Sequence, residues 1–195
     1  MKNMKPYFKL TFILLMIGLT GCCNEELIDS YLLPEFEKSL IPYNDYHDLI
    51  YINETGQNIK ASTQPRIINL ERDYRGPESC EYWEYETISN FINFTESGFL
   101  IRLGVGTFND LTAFGLEYVI PNSDNSENEY FDELINPTNE QVVDINLYGF
   151  EFKNVYVFKN NFLNENSKIE LILYSSEGKG VELISYIDGK FLKLK

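Results

Sequence analysis

The stretch KIELILYSSEGKGVELISYIDGKFLKL, residues 168–194, contains three short apolar segments separated by SEGK and DG. The segments are rich in Ile, Leu, Val, Tyr and Phe, which fit a pleated and half-buried surface. SEGK and DG both carry a glycine, which suits the tight turn between two neighbouring strands. We therefore expect the chain to end in a three-stranded antiparallel meander.

The same pattern extends upstream to residue 48. DLIYIN and QNIKAS flank Glu54-Thr55-Gly56, a hairpin turn whose glycine can adopt a positive φ. Further strands are expected in RIINLERDY (66–74), CEYWEYETISNFINF (80–94), GFLIRLGVG (98–106), AFGLEYVI (113–120), QVVDINL (141–147) and GFEFKNVYVF (149–158). About ten or eleven strands predict a mainly β fold with one antiparallel sheet, either a half-closed barrel or a two-sheet sandwich.

Two features interrupt this pattern. Apolar residues at helical spacing predict a short N-terminal helical segment over 26–33, and Pro34 is expected to begin a second turn that Pro42 ends. Residues 121–140 are rich in Asn, Ser and acids and are expected to form a long surface loop with one helical turn near 130–134.

Alternation along the later strands predicts which side chains share a buried face. Three stripes are expected to face the core: Phe150, Phe152, Tyr156 and Phe158; Ile169, Leu171 and Leu173; and Val181, Leu183 and Ile187.

The N-terminus has the composition of an export signal. Three lysines precede the apolar run LTFILLMIGL (10–19), which is too short to span a bilayer. Leu19-Thr20-Gly21-Cys22 resembles the lipobox of bacterial lipoproteins. The resemblance implies cleavage before Cys22, a diacylglycerol on its sulfur and a further acyl chain, such as palmitate, on its amino group.

We thus expect a signal peptide over 1–21, a lipidated acidic tether over 22–30 and a β-rich domain over 31–195. Asn24-Glu25-Glu26 resembles the signal that sends lipoproteins of the Bacteroidota to the cell surface. The expected location is the outer membrane, exposed to the outside, with its periplasmic face as the alternative. Two or three acyl chains suffice for stable anchoring, so the membrane is the expected first partner.

The charge of the chain restricts its other partners. The formal net charge is −14, and removing residues 1–21 would take away three lysines and no acid. Nucleic-acid binding requires clustered Lys and Arg, so nucleic acid is not an expected partner. The negative charge also disfavours contact with anionic lipid head groups, so the acyl chains should make the membrane contact.

Three cysteines occur, at 22, 23 and 80. With Cys22 modified, an exported chain can pair Cys23 with Cys80, which would fix the tether to the domain. The alternative is that Cys80 is a small buried hydrophobic residue.

The chain contains none of the HExxH, GxSxG and CxxC motifs. Its single histidine, His47, precedes a strand beside Asp45 and Asp48, and we interpret it as a surface residue. The GVG at 104–106 lacks the third glycine and the helix of a phosphate-binding loop, and it is expected to be a turn or a kink. We expect no enzyme activity and no cofactor.

Two segments have the composition of ligand sites. Asp124, Glu127 and Glu129 are candidate oxygen ligands for calcium, but the EF-hand pattern is absent, and the alternative that we favour is a solvated acidic loop without a metal. In CEYWEYE, Trp83 and Tyr85 fall on one face of a strand, and Tyr82 and Glu84 on the other. Aromatic rings beside carboxylates suit carbohydrate or aromatic ligands, whereas the alternative interpretation, which we favour, places Trp83 and Tyr85 in the core.

The order LIPYNDYHDLIYINETG, CEYWEYET, GFEFKNVYVF and LYSSEGKGVELISYIDGKFLKL resembles small lipoproteins of the Bacteroidota that have no assigned activity. The most consistent interpretation is a non-catalytic binding or interaction module at the outer membrane, with a protein, glycan or small apolar ligand. A carrier of apolar ligands in a half-barrel cavity and a carboxylate-dependent hydrolase of surface glycans are the alternatives.

Overall fold

The computed structural model describes residues 24–77, 79–108, 111–121, 128–131, 133–160, 163 and 167–195. These residues form one short helix, α1 (Glu35–Ser39). They also form fourteen strands: β1 (Glu26–Tyr31), β2 (Asp48–Asn53), β3 (Asn58–Thr63), β4 (Ile67–Tyr74), β5 (Glu81–Phe94), β6 (Phe99–Phe108), β7 (Leu111–Val119), β8 (Glu129–Tyr130), β9 (Leu134–Ile135), β10 (Val143–Leu147), β11 (Phe150–Lys159), β12 (Ile169–Ser175), β13 (Val181–Tyr186) and β14 (Phe191–Leu194).

All fourteen strands belong to one sheet, in the order β10-β11-β12-β13-β14-β2-β3-β5-β6-β7-β8, with β1 and β4 paired to β5 and β9 paired to β7. The predicted C-terminal meander is confirmed as β12–β14, and β14 pairs with β2 of the first hairpin. Every pairing is antiparallel except that of β1 with β5. The fold is therefore a mainly β half-barrel rather than a two-sheet sandwich.

The inner face of this sheet is packed with aromatic rings. Phe114 of β7 contacts Tyr156 and Phe158 of β11 and Tyr174 of β12, with ring centroids 6.5, 5.3 and 5.0 Å away. Strands near opposite ends of the sheet order thus meet through their side chains. These contacts hold the sheet in its curved form and fill the space between its walls.

Strands β10–β14 also bury a smaller cluster on their outer face, and this corrects the predicted stripes. Phe152 lies in the outer cluster, whereas Tyr156 and Phe158 lie in the inner core. Asn154 between them has a φ of 52°, and the β10–β11 register shifts in this region. A bulge reverses the side-chain alternation, because an extra residue moves every later side chain to the other face.

Register shifts between β12 and β13 break the other two stripes. Ile169 faces the inner core, whereas Leu171 and Leu173 face the outer cluster. Val181 and Leu183 are divided in the same way, and Ile187 lies beyond β13 and is 48% exposed.

The N-terminal segment differs from the predicted helix over 26–33. Residues 26–31 form β1, which pairs in parallel with the start of β5, so the later part of the expected tether is a strand. The Leu33 N–H donates to Glu86 Oε2 at 2.9 Å, and Lys38 Nζ lies 3.2 Å from the same oxygen. Such long-range contacts are not encoded in local periodicity. Within the described residues, no helix is long and apolar enough to cross a bilayer.

The predicted helical turn near 130–134 is also wrong. The described residues there form β8 and β9, two short strands that pair with β7 at Glu117–Tyr118 and at Ala113–Phe114 respectively. They extend the sheet beyond β7, and Tyr130 and Glu133 of this segment lie beside the outer face of β7.

Candidate outer-face groove

Strand β5 pairs with β1, β3, β4 and β6 and carries the predicted ligand-contact residues. Its even-numbered side chains, such as Tyr82 and Glu86, point inward and are buried, whereas Trp83 and Tyr85 are half-buried on the outer face. The favoured core placement of Trp83 and Tyr85 is therefore wrong. The prediction that Trp83 and Tyr85 share one face of the strand and Tyr82 and Glu84 the other is confirmed, but the inward face is that of Tyr82 and Glu84.

Tyr82 and Glu84 belong to a polar cluster on the inner side of β5. Arg72 of β4 donates to Glu84 at 3.1 Å and to Glu25 at 2.7 Å, and its guanidinium lies 4.6 Å from the centre of the Tyr82 ring. Tyr74 also donates to Glu25, at 2.8 Å. These contacts connect the two strands that flank β5, so Tyr82 and Glu84 serve to attach the N-terminal segment.

Tyr85 instead faces a groove across the outer surface of β4–β7. Its floor consists of Gly104 and Gly106 of β6 with Gly115 and Ala113 of β7, paired in register as Gly104–Gly115 and Gly106–Ala113. Three glycines and one alanine leave a depression where neighbouring strands carry full side chains. We call this depression the outer-face groove.

The groove has two adjoining parts, of about 360 and 310 Å³, which share Thr87, Gly106 and Ala113. The larger part is lined by polar side chains, among them Asn69, Glu71, Arg102, Glu117, Tyr130 and Glu133. The smaller part is lined by Tyr85, Phe108 and Leu111 at its far end. One end of the groove is therefore charged and the other aromatic.

Hydrogen bonds fix several of these walls. Glu71 accepts from the Tyr85 hydroxyl and from Thr87 Oγ1, both at 3.2 Å. Partial burial and the adjacent Glu71 carboxylate raise the pKa of Tyr85, so this phenol stays a donor at neutral pH. The Tyr85 ring meets the Phe108 ring edge-on, with centroids 5.7 Å apart.

The opposite wall is set by an ion pair. Arg102 Nη1 lies 3.6 Å from Glu117 Oε2, and Asn128 donates to the other oxygen of Glu117 at 3.1 Å. Arg102 and Glu117 are direct partners on β6 and β7, and Tyr130 of β8 is the next residue across.

The three floor glycines differ in what surrounds them. A Cβ on Gly106 would lie 3.3 Å from Thr87 Cγ2, and one on Gly115 would lie 3.2 Å from Glu133 Cγ. A Cβ on Gly104 would meet no atom of the residues that the structure describes within 4 Å, and the φ of Gly104 is not positive. Neither packing nor backbone conformation therefore requires a glycine at position 104.

The GVG motif is correspondingly neither a turn nor a kink. Gly104, Val105 and Gly106 lie in the middle of β6, with Val105 in the inner core and both glycines on the outer face. The two glycines were visible in the sequence. Their alignment with Gly115, which creates the groove, depends on the β6–β7 register.

The other candidate residues lie elsewhere. His47 is exposed directly before β2, as predicted, and its backbone is bonded to Thr63. Asp124 and Glu127, two of the calcium candidates, lie outside the described residues. Glu129 is buried, and its carboxylate accepts from Asn160, Lys168 N and Ile169 N, so it joins β8 to the start of β12.

No metal-binding group of three or more His, Cys, Asp or Glu side chains occurs in the described part of the chain. The lipidation candidate Cys22, like Cys23, lies outside that part. Cys80 is half-buried and disulfide-bonded rather than a buried free thiol, and its carbonyl accepts from Glu26 N–H at 2.8 Å. Comparison with protein-family models, curated proteins and solved structures gave no match.

Proposed function

We propose that this protein is a lipid-anchored, non-catalytic binding module of the outer membrane, and that the outer-face groove holds its ligand. The observation that carries the proposal is Gly104. A glycine weakens the interior of a strand, and it is typical where a ligand approaches the backbone closely. Among the described residues, no atom packs where a Gly104 side chain would lie, and the φ of Gly104 does not favour a glycine, so neither gives another reason for the missing side chain.

The alternative of an internal apolar-ligand cavity has less support. Tyr51, Phe94 and Phe99 form a continuous row of ring contacts, with centroids 5.0 and 4.5 Å apart. Together with the Phe114 contacts, these rings occupy the interior of the half-barrel. A ligand there would have to displace packed aromatic side chains.

Anchoring through Cys22 agrees with the attachment of the N-terminal segment. Glu25, whose carboxylate bonds to Arg72 and Tyr74, is only three residues after Cys22. Three residues span at most about 11 Å, so the domain would sit close to the membrane surface.

Methyl NMR of the full-length lipoprotein in detergent tests the binding site. Leu111 and Ala113 report on the groove, whereas Leu103 and Val105 report on the interior. We expect an oligosaccharide or a peptide to shift the methyl resonances of Leu111 and Ala113. Palmitate should leave the methyl resonances of Leu103 and Val105 unchanged. Palmitate-induced shifts at Leu103 and Val105 would support the carrier instead, and release of new reducing ends from an oligosaccharide would support the hydrolase.

Anchoring and location are tested separately in cells. We expect globomycin to block processing of the precursor, and proteinase K to digest the protein on intact cells while a periplasmic control survives. If the precursor is still processed in the presence of globomycin, lipidation is contradicted. Protection from the protease would place the domain on the periplasmic face.

A further inference from the structure

The chemistry of the groove indicates the class of its ligand, on the assumption that the groove is the binding site proposed above. Strands β5, β6 and β7, which form the wall and the floor of the groove, are each paired on both sides, so little of their backbone is free to bond. A peptide that binds by strand addition needs a free sheet edge. A ligand in this groove must instead contact side chains and the flat backbone surface over the glycines.

The charges of the groove disfavour an anionic ligand. Glu71, Glu117 and Glu133 contribute three carboxylates, and Arg102, the one cation among the described lining residues, is paired with Glu117. Uronates, phosphates and fatty-acid carboxylates would all approach an excess of like charge.

The remaining features suit a molecule with an apolar face and many hydroxyl groups. Phe108 is 41% exposed and Leu111 is 55% exposed at the apolar end, so a flat ring has surface to stack on. Thr87, Ser89, Asn69 and Glu71 supply donors and acceptors along one wall. Each part of the groove lies within the range of about 300–1,000 Å³ that is usual for small-molecule sites.

We infer that the outer-face groove binds an uncharged oligosaccharide, with one sugar ring against Phe108 and Tyr85 and hydroxyl groups bonded to Glu71, Asn69 and Ser89. The second part of the groove, between Arg102 and Tyr130, takes the adjoining sugar. The glycine floor allows both rings to lie flat across β6 and β7.

Calorimetry on the full-length lipoprotein tests this inference, in a detergent without a sugar head group. The probes are cellotetraose, maltotetraose, mannotetraose and chitotetraose, with tetragalacturonate as the anionic counterpart. We expect at least one neutral tetrasaccharide to bind and tetragalacturonate to bind at least about tenfold more weakly.

Two substitutions locate the binding. Gly104→Val fills the open floor and should weaken binding at least about tenfold, and Phe108→Ala should weaken it about fivefold through loss of stacking. The matched control is Gly76→Val, which adds the same side chain outside the groove, at a glycine without a positive φ and with no atom of the described residues within 4 Å of the added Cβ. Its affinity should equal that of the wild type.

Several results would overturn the inference. The first is that tetragalacturonate binds as tightly as the neutral tetrasaccharides. The second is that Gly104→Val leaves the affinity for a neutral tetrasaccharide unchanged. The third is that no neutral tetrasaccharide binds. If no neutral probe binds but a peptide shifts the Leu111 and Ala113 methyls, only the sugar assignment falls. If neither probe class affects the groove, the proposed binding function falls with it.

Discussion

At the scale of single residues, Gly180 shows what a glycine required by the fold looks like. Its φ is +79°, and a Cβ there would overlap the Tyr43 hydroxyl oxygen. The Tyr43 hydroxyl donates to the Lys179 carbonyl at 3.0 Å, and this bond holds the connection between α1 and β2 against the β12–β13 turn. Gly104, in contrast, has neither constraint.

Gly180→Ala should therefore lower the free energy of unfolding by about 3 kcal/mol or more, from a strained φ plus a steric clash. Gly189→Ala is the matched control, because Gly189 has a φ of +81° but no atom of the described part of the chain within 4 Å of an added Cβ. Gly189→Ala should lower the free energy of unfolding by only about 1–2 kcal/mol, the cost of a left-handed backbone conformation at a residue with a side chain. Urea unfolding followed by Trp83 fluorescence measures both, and equal losses would contradict the role assigned to Tyr43.

At the scale of elements, β5 organises the N-terminal segment through one buried carboxylate. Glu86→Ala would leave the Leu33 N–H and the Lys38 ammonium without their partner on β5. We expect a loss of about 3 kcal/mol and faster hydrogen exchange at Leu33. Glu84→Ala, which removes an ion pair with the half-exposed Arg72, should lose at most about 1 kcal/mol. Unchanged exchange at Leu33 in Glu86→Ala would show that β1 and α1 are held by other contacts.

Cys80, directly before β5, is disulfide-bonded. The only other cysteines are Cys22 and Cys23, and lipidation of Cys22 would leave Cys23 as the partner. We expect the mature protein to show no thiol open to alkylation, and Cys80→Ser to expose one at Cys23. Loss of the cross-link should lower stability by about 2–4 kcal/mol. Mass spectrometry that finds the alkyl group on Cys22 would contradict both the pairing and the lipidation.

The strands were largely predictable from the sequence, and their connections were not. Turn residues such as Gly56 and Gly189 and the alternation of apolar side chains set eleven of the fourteen described strands to within one or two residues, and only β1, β8 and β9 were not predicted as strands. The bulge at Asn154 gave no signal, because an asparagine in a polar interruption of a strand is common. The segment of β1 was predicted as a helix because Leu27, Ile28, Tyr31 and Leu32 have helical spacing, whereas pairing with a strand that begins 55 residues later decides its conformation.

The groove shows the same limit. Tyr85 and the two glycines of β6 stood out locally, but Gly115, Glu133 and Tyr130 come from elements that only the β6–β7 register brings together. A site on the outer face of a sheet is built by pairing, and one sequence does not specify pairing.

At the scale of the whole molecule, the core depends on protonated phenols. Burial raises the pKa of Tyr43, Tyr51, Tyr174 and Tyr186 above the ordinary value of 10.0. Unfolded phenols release their protons near pH 10 while the folded ones keep theirs. Stability should be constant with respect to these groups below pH 10 and fall above it, by at most about 1.4 kcal/mol per pH unit for each phenol.

Urea unfolding between pH 8 and pH 12 measures this dependence. Tyr51→Phe should reduce the slope above pH 10, and Tyr46→Phe, at a side chain 76% exposed, should not. A free energy of unfolding that stays constant up to pH 12 would contradict the prediction.

The most direct test of the central claim is the free energy of unfolding of Gly104→Val, measured without any ligand. If Gly104 is a glycine for the sake of the site, valine suits the strand better, and stability should be unchanged or increase by up to about 1 kcal/mol. A loss of more than about 1 kcal/mol would mean that the glycine serves the fold, and the outer-face groove would lose its main support as a binding site.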